Sequence, residues 1–513
     1  MAIQIIMLVV FFAVMITVGF ICRKRSTDVS SFVLGSRSVG PWLTAFAYGT
    51  SYFSAVIFVG YAGQFGWKFG VASTWIGIGN ALIGSLLAWV LLGRRTRVMT
   101  QHLSAATMPQ FFEKRFGSRG LKLASSLIIF VFLIPYTASL YNGLSRLFGM
   151  AFNVDYTICI IVMAVFTAVY VIAGGYMATA INDFLQGIIM LVGIVAIIAA
   201  VLSLNGGFSG SLDALARVTD ETVSTTPGVF ASFFGPDPVS LGSVILLTSL
   251  GTWGLPQMVQ KFYAIKSEES IHTGTIVSTI FAVIVAGGCY FLGGFGRLFN
   301  VDVAAEGFDA IIPEMLSKLS PALIGITLVL VLSASMSTLS SLVLTSSSTL
   351  TLDFIAPTFT KKKNEKRDLL VIRIFVGVFI ILSAVIAVIQ YKLNVTFIAQ
   401  LMGLSWGALA GSFLAPFLLS LYWKRVTKPA VAASFICGSG IMLANMFFKD
   451  VFPAFLQSPI NCGAFAMLLG LIVVPVVSIL TKKPDEAFVS DIFSCYEKTV
   501  TVPVTESLHK HGN

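Results

Sequence analysis

Residues 41–66 read PWLTAFAYGTSYFSAVIFVGYAGQFG, a membrane-length apolar stretch interrupted at its centre by Ala47-Tyr48-Gly49-Thr50-Ser51-Tyr52-Phe53-Ser54-Ala55. A transmembrane helix needs about 20 mostly apolar residues. In hydrocarbon every backbone polar group must be satisfied, so irregular chain survives only inside protein or beside a wet cavity. The stretch 238–261 repeats the feature with Thr248-Ser249-Leu250-Gly251-Thr252-Trp253-Gly254-Leu255-Pro256. Within a helix, glycine costs about 1 kcal/mol and proline about 3 kcal/mol relative to alanine. Close packing through small residues explains either cluster alone equally well. Two clusters at corresponding positions of two five-helix halves instead point to a secondary transporter whose midplane site is lined by discontinuous helices.

The composition agrees. Of 513 residues, 56% are hydrophobic and 11% charged, against about 25% charged in soluble domains. Several soluble domains, intrinsic disorder and a disulfide scaffold are excluded together. The six cysteines, Cys22, Cys159, Cys289, Cys437, Cys462 and Cys495, show no paired spacing and read as small core residues.

Thirteen candidate spans follow from the apolar runs: 4–22, 41–66, 70–93, 122–146, 154–176, 179–204, 238–261, 270–297, 321–352, 369–391, 394–423, 427–447 and 460–481. No basic residue precedes the first, while Arg23, Lys24 and Arg25 follow it, which predicts a retained helix with its N-terminus outside. Alternating sides from there puts 26 of the 33 basic residues inside, Lys261 and the 361–367 loop among them, and 7 outside. The net charge of +10 is then a topology signal and implies no nucleic acid. The acidic outer loops, 205–237 and 298–320, receive no role. No obligate protein partner is implied.

Asp183, in Ala180-Ile181-Asn182-Asp183-Phe184, is the one acidic side chain read inside an apolar span. A carboxylate at bilayer depth costs upwards of about 2.5 kcal/mol, so it should meet a partner or a wet cavity, unless it snorkels to the inner interface. Span 321–352 supplies hydroxyls: Ser333, Ser335, Ser337, Thr338, Ser340 and Ser341, then Thr345 to Thr349. Ser337, Ser340 and Ser341 share one helix face and Thr338 borders it. Oxygen ligands of this kind suit a small hard cation. Backbone capping by hydroxyls explains 345–349 as well.

On these residues the chain resembles the sodium:solute symporter family. Four stretches carry the resemblance: Phe32-Val33-Leu34-Gly35-Ser36-Arg37-Ser38; Gly174-Gly175-Tyr176 with Asn182-Asp183-Phe184-Leu185-Gln186-Gly187; Met336-Ser337-Thr338-Leu339-Ser340; and Tyr422-Trp423-Lys424-Arg425. The resemblance implies an all-α, LeuT-like 5+5 inverted repeat with one helix before it and two after. That divides the chain into an N-terminal helix (1–22), repeats at 41–204 and 238–423, two accessory helices (427–481) and a cytoplasmic tail (482–513). It also implies a plasma-membrane location, a sodium ion as cosubstrate and a small organic solute as cargo. The family's common sodium site falls on the Ser337 and Thr338 hydroxyls and the carbonyls of Ala334, Thr50 and Phe53. A second sodium site of some members falls on Asp183, Ser340 and Ser341.

The family's solute-facing positions map to Tyr52, Ser54, Ala55, Ile57, Tyr136, Thr248, Thr252 and Trp253, with Tyr141 as a further contributor. Tyr52 stands where proline symporters carry an aspartate, and Val56 and Ile57 replace the polar ligands of sugar transporters. The expectation is therefore a carboxylate-bearing solute, pantothenate- or monocarboxylate-like, with a proline-like amino acid or sialic acid as the alternative. An enzyme is not expected. His102, His272, His509 and His511 pair with no buried nucleophile, and Gly403-Leu404-Ser405-Trp406-Gly407 matches G-x-S-x-G without its strand–turn–helix setting. No GxxxxGK[ST] loop is present for nucleotide-driven transport. A cation channel is the rival class.

Overall fold

The computed structural model describes residues 2–23, 28–359, 364–393 and 398–497. Lys24, Arg25, 361–363 and the tail from Lys498, with His509 and His511, lie outside them. Among the described residues the chain is helical, with two isolated β-bridges. Ten helices among the described residues are long and apolar enough to cross a membrane, or eleven with the bent pair Pro238–Trp253 and Pro256–Ala264, which turns by 41°. Pro321–Phe359 and Ile398–Tyr422 are the most deeply enclosed, and Ala2–Arg23 is the outermost of them. Ala2–Arg23 leaves Ile6, Val9 and Ile21 facing outward, as a lipid-facing surface should.

Two of the long helices are turned by glycine. Val56–His102 bends at Gly70 (φ +63°), and Tyr156–Ser203 at Gly175 (φ +58°), a conformation that side chains beyond glycine rarely adopt. A Cβ on Gly175 would meet the Phe32 ring at 2.7 Å, so two of the sequence stretches quoted above pack on one another. The Pro41–Tyr52 helix ends in extended backbone at Phe53 (φ −101°, ψ 118°) before chain resumes as a helix at Val56.

Basic residues near the helix ends do more than mark a side. Arg37 donates to the carbonyls of Tyr263 (2.9 Å) and Ala105 (2.5 Å), and Arg97 to those of Ile265 (2.6 Å) and Lys266 (3.2 Å). Each satisfies carbonyls at or beyond a helix end that have no helical partner. Val39 adds a two-way backbone link, accepting from Lys266 (2.9 Å) and donating to Ala264 (3.3 Å).

Several expectations change. Span 238–261 runs on to Ala264, so Lys261 is no loop residue: it is 2% exposed, inside the Pro256–Ala264 helix. Span 321–352 runs on to Phe359 and takes in Asp353, so Asp183 is not the sole buried carboxylate of the spans. Asp353 accepts from Thr107 (2.5 Å) and Gln110 (2.8 Å), which secures the end of that helix. The start of the tail is structured: Glu486–Phe493 forms a helix, and Tyr496 donates to the Arg95 carbonyl at 3.1 Å. The acidic loops also carry a structural tie. Arg297 donates to Asp220 at 2.7 Å. Burial pushes the Asp220 carboxyl up, but hydrogen bonds from Thr222 and Arg297 outweigh it and hold the group well below the usual carboxylate range. All of the cysteines but the half-buried Cys437 are buried.

Helix crossings beside the first interruption are set by glycine contacts. A Cβ on Gly66 would lie 1.9 Å from the Gly293 carbonyl oxygen, and one on Gly293 2.1 Å from that of Ala62. These are backbone atoms that cannot swing aside. Gly66→Ala should destabilise the protein by about 1–3 kcal/mol through overpacking. Gly242→Ala, inside a helix where a Cβ meets nothing within 4 Å, should instead stabilise by up to about 1 kcal/mol. Thermal melts in detergent compare the two, and equal melts would show that the crossing can relax.

Candidate functional site

The break at Phe53 leaves the last carbonyls of Pro41–Tyr52 without the next helical turn, and the hydroxyl face of Pro321–Phe359 meets them. Ser337 donates to the Thr50 carbonyl (2.9 Å) and to Ala334 (3.0 Å). Thr338 donates to Thr50 (3.2 Å), Ser51 (3.4 Å) and Ala334 (3.0 Å). Four of the five residues expected at the first sodium site thus converge, all buried. The fifth, Phe53, is where the helix opens, and neither hydroxyl donates to it. Two hydroxyls among backbone carbonyls form an all-oxygen group shielded from water, which fits a small hard cation. Beyond the break, the freed Ala55 amide donates to Ser335 Oγ at 3.1 Å.

The residues expected at a second sodium site are arranged differently. Ser340 donates back to the Ser337 carbonyl (2.9 Å) rather than toward Asp183. Asp183 is fully buried, which removes the interfacial reading, and its partner is Lys261 Nζ, 3.7 Å from Oδ2. The same ammonium donates to Ser341 Oγ at 2.9 Å, and Ser341 shares a 2.8 Å hydrogen bond with Ser51. One turn further along the same face, Thr345 donates to Gln260 at 2.7 Å. The hydroxyl helix therefore clasps both broken helices: Ser51 just before the first break, Gln260 and Lys261 beyond the second.

Toward the other end of the breaks lies an aromatic and polar group. Tyr52 donates to the Thr248 carbonyl, joining one broken helix to the other. Its ring stacks on Trp406 with centroids 5.8 Å apart, and Tyr136 stands edge-on to the same indole at 5.9 Å. Among the described residues Ser54 Oγ, the Tyr136 hydroxyl and Trp406 Nε1 are buried with no well-formed hydrogen bond, and Tyr136 faces both of the others. Thr248 and Ser249 both donate to Asn80 Oδ1 (2.8 and 3.1 Å). Thr252 donates to the Gly84 carbonyl (3.1 Å) and Trp253 to that of Ile83 (3.0 Å). Ala55 and Ile57 are buried beside the first break and contribute apolar wall. The Tyr141 hydroxyl lies beside Thr167, so it does not join the Tyr136 group.

Of the expected solute-side residues, Tyr52, Ser54 and Tyr136 are brought together, while Thr248, Thr252 and Trp253 serve chiefly to tie the broken helix to residues 80–84. Sequence reading missed Asn80, Trp406 and Lys261. A polar residue in an apolar run was the available signal for Asn80, and a lysine five positions past a helix-breaking proline was the one for Lys261.

Buried interruptions in two helices, both bonded to a hydroxyl-rich third, define the class: a polytopic membrane transporter of LeuT-like fold. The solved substrate-bound outward-open state of a Na+-coupled sialic acid symporter has the same fold, with a TM-score of 0.76 at 16% identity over 94% of this chain and 98% of that one. A model of the sodium:solute symporter family matches residues 32–438, and the chain belongs to that family. It is 30% identical over 505 residues to the osmoregulated proline transporter OpuE of Bacillus subtilis (strain 168), covering 95% of this chain and 97% of that protein. It is 31% identical over 507 residues to the sodium/proline symporter of Staphylococcus aureus (strain JH9), covering 95% and 94%. The chain is thus a sodium-coupled, non-enzymatic secondary transporter of a small organic solute, multi-pass in the plasma membrane.

Asn80 is the hinge between this group and its support. Asn80→Ala would strip the acceptor from the Ser249 hydroxyl and one of two from Thr248. The variant should lose about 1–3 kcal/mol of stability, read as a lower melting temperature. An unchanged melt would mean that these links are dispensable.

Proposed function

We propose that this chain imports a small, carboxylate-bearing amino-acid-like solute, with proline as the leading candidate, in symport with sodium. The relatives named above support proline over the pantothenate-like expectation, because two of them, at 30–31% identity over nearly the whole chain, are described as proline transporters. The solute would sit against Tyr52, Ser54, Tyr136 and Trp406, where apolar walls suit a small ring and three polar groups with no well-formed hydrogen bond supply partners. None of these residues carries charge, so a carboxylate would rely on hydroxyls and the exposed amides of broken-helix ends.

The first sodium site is proposed at Thr50, Phe53, Ala334, Ser337 and Thr338. A cation there would bridge the first broken helix to Pro321–Phe359 and favour the conformation in which the break is closed around solute. Coupling requires that the two conformations differ in sodium affinity. Each positive charge moved inward down the membrane potential adds about 2.3 kcal/mol per 100 mV.

The full topology belongs to the same proposal. Counting the turns at Gly70 and Gly175 as loops between spans, and each broken helix as one span, thirteen segments result. They would form an inverted 5+5 repeat, 41–204 and 238–423, after an N-terminal helix at 1–22. The accessory helices (427–481) and a cytoplasmic tail (482–513) would follow, with the N-terminus outside. The excess of basic residues on one set of loops supports that orientation.

Convergence of Ser337 and Thr338 on the Thr50 carbonyl is the observation that carries the reading. The test is uptake into proteoliposomes under an inward sodium gradient, screening proline and other amino acids, pantothenate, monocarboxylates, sialic acid and sugars. Sodium-driven accumulation of proline or a close analogue is expected. Ser337→Ala and Thr338→Ala should each weaken sodium affinity roughly tenfold or more, the loss of one buried hydrogen-bonding ligand. Solute uptake indifferent to sodium would overturn the reading, and sodium conductance without solute would establish a channel.

A further inference from the structure

The Asp183 cluster holds a cation already, and it is covalently attached. Lys261 Nζ lies 3.7 Å from Asp183 Oδ2 and 2.9 Å from Ser341 Oγ, two of the three residues that a second sodium ion would use. Both charged side chains are enclosed, with relative exposures of 3% and 1%. Among the described residues no hydrogen bond reaches either Asp183 oxygen, so the carboxylate is compensated through space by the ammonium 3.7 Å away and not saturated. The Tyr176 ring faces the same ammonium, with Nζ 5.2 Å from its centroid. An ammonium between a carboxylate and a hydroxyl occupies the place of a monovalent metal ion, with comparable charge and hard-donor partners.

We infer that Lys261 and a sodium ion are mutually exclusive occupants of the Asp183–Ser341 cluster, so that the chain's own side chain excludes a second sodium ion. One carboxylate compensates only one of two cations in a buried site, and the repulsion between the two is weakly screened there, so double occupancy is disfavoured. Removing Lys261 alone would leave an uncompensated buried carboxylate, the strongest condition for recruiting a cation from solution. The cluster also touches the first site. Ser51, bonded to Ser341, follows Thr50, and its carbonyl accepts from Thr338 at 3.4 Å. A change of occupant at Asp183 is therefore transmitted to the first broken helix through one residue.

This inference rests on the proposed sodium coupling and has a readout besides transport. Sodium binding to the purified full chain is followed without solute, as the sodium-dependent rise in melting temperature and the change in tryptophan fluorescence. In the unaltered protein the binding curve should have a Hill slope of about one, and in Lys261→Met it should steepen toward about two or resolve into two phases. Asp183→Asn in the Lys261→Met background should restore the single phase, and Lys261→Arg should keep it. The double variant removes both charges together, so it keeps the test available if Lys261→Met folds poorly: its single phase is expected to match the unaltered protein. Sodium slopes alike in Lys261→Met and the unaltered protein would overturn the inference, as would two sodium phases with Lys261 in place. Loss of all sodium response in Ser337→Ala, with the Lys261→Met gain retained, would leave both assignments standing. No sodium response in any protein would instead sink the coupling itself.

Discussion

A carbonyl freed from its helix inside a membrane must find a donor, and the Thr50 carbonyl finds two, Ser337 at 2.9 Å and Thr338 at 3.2 Å. Much of the interior follows from that requirement. The first helix can be broken because a second helix brings hydroxyls to the break. That second helix must be enclosed, because its hydroxyls face backbone and polar side chains. Its long polar face meets Thr50 at Ser337, Ser51 and Lys261 at Ser341, and Gln260 at Thr345. Interruption, burial and polarity support one another, as expected where irregular backbone is tolerated only within protein.

The same logic explains why the interior carries ionisable groups at all. Asp183 and Lys261 are each costly at bilayer depth, and each compensates the other. Such pairs contribute little net stability compared with apolar replacements of the same volume. Their attachment to separate helices also ties their separation to the placement of those helices. Asp183 follows the Gly175 turn and Lys261 follows the second break, so relative movement of the two segments changes the distance between the charges.

Legibility in the sequence was uneven. Broken helices and the hydroxyl helix could be read in advance, because glycine, proline and clustered hydroxyls conflict with an apolar helix and stand out against it, and the family resemblance singled out Thr50, Ser337 and Thr338, which meet at the first break. Asp183 stood out for the same reason. Lys261 did not, because it lies at the end of an apolar run and a basic residue there reads equally well as a loop charge. Trp406 was hidden by composition: a tryptophan in an apolar helix is ordinary, and only its stacking on Tyr52 gives it a place in the site. Asp353 was excluded by a span boundary drawn a few residues short.

Sequence alone determined the class and the family resemblance, and the resemblance implied which hydroxyls would lie at the first break. Those follow from local rules, namely segment length, helix-breaking residues and helical spacing, and from four short stretches of family likeness. Tertiary structure decided which groups meet across the chain. The Asp183–Lys261 pair joins residues on different helices, as do Tyr52 on Trp406 and Asn80 under Thr248 and Ser249. No periodicity encodes such distances. They arise when glycine faces such as Gly66 against Gly293 let helices approach to backbone contact, and the side chains carried with them come into reach.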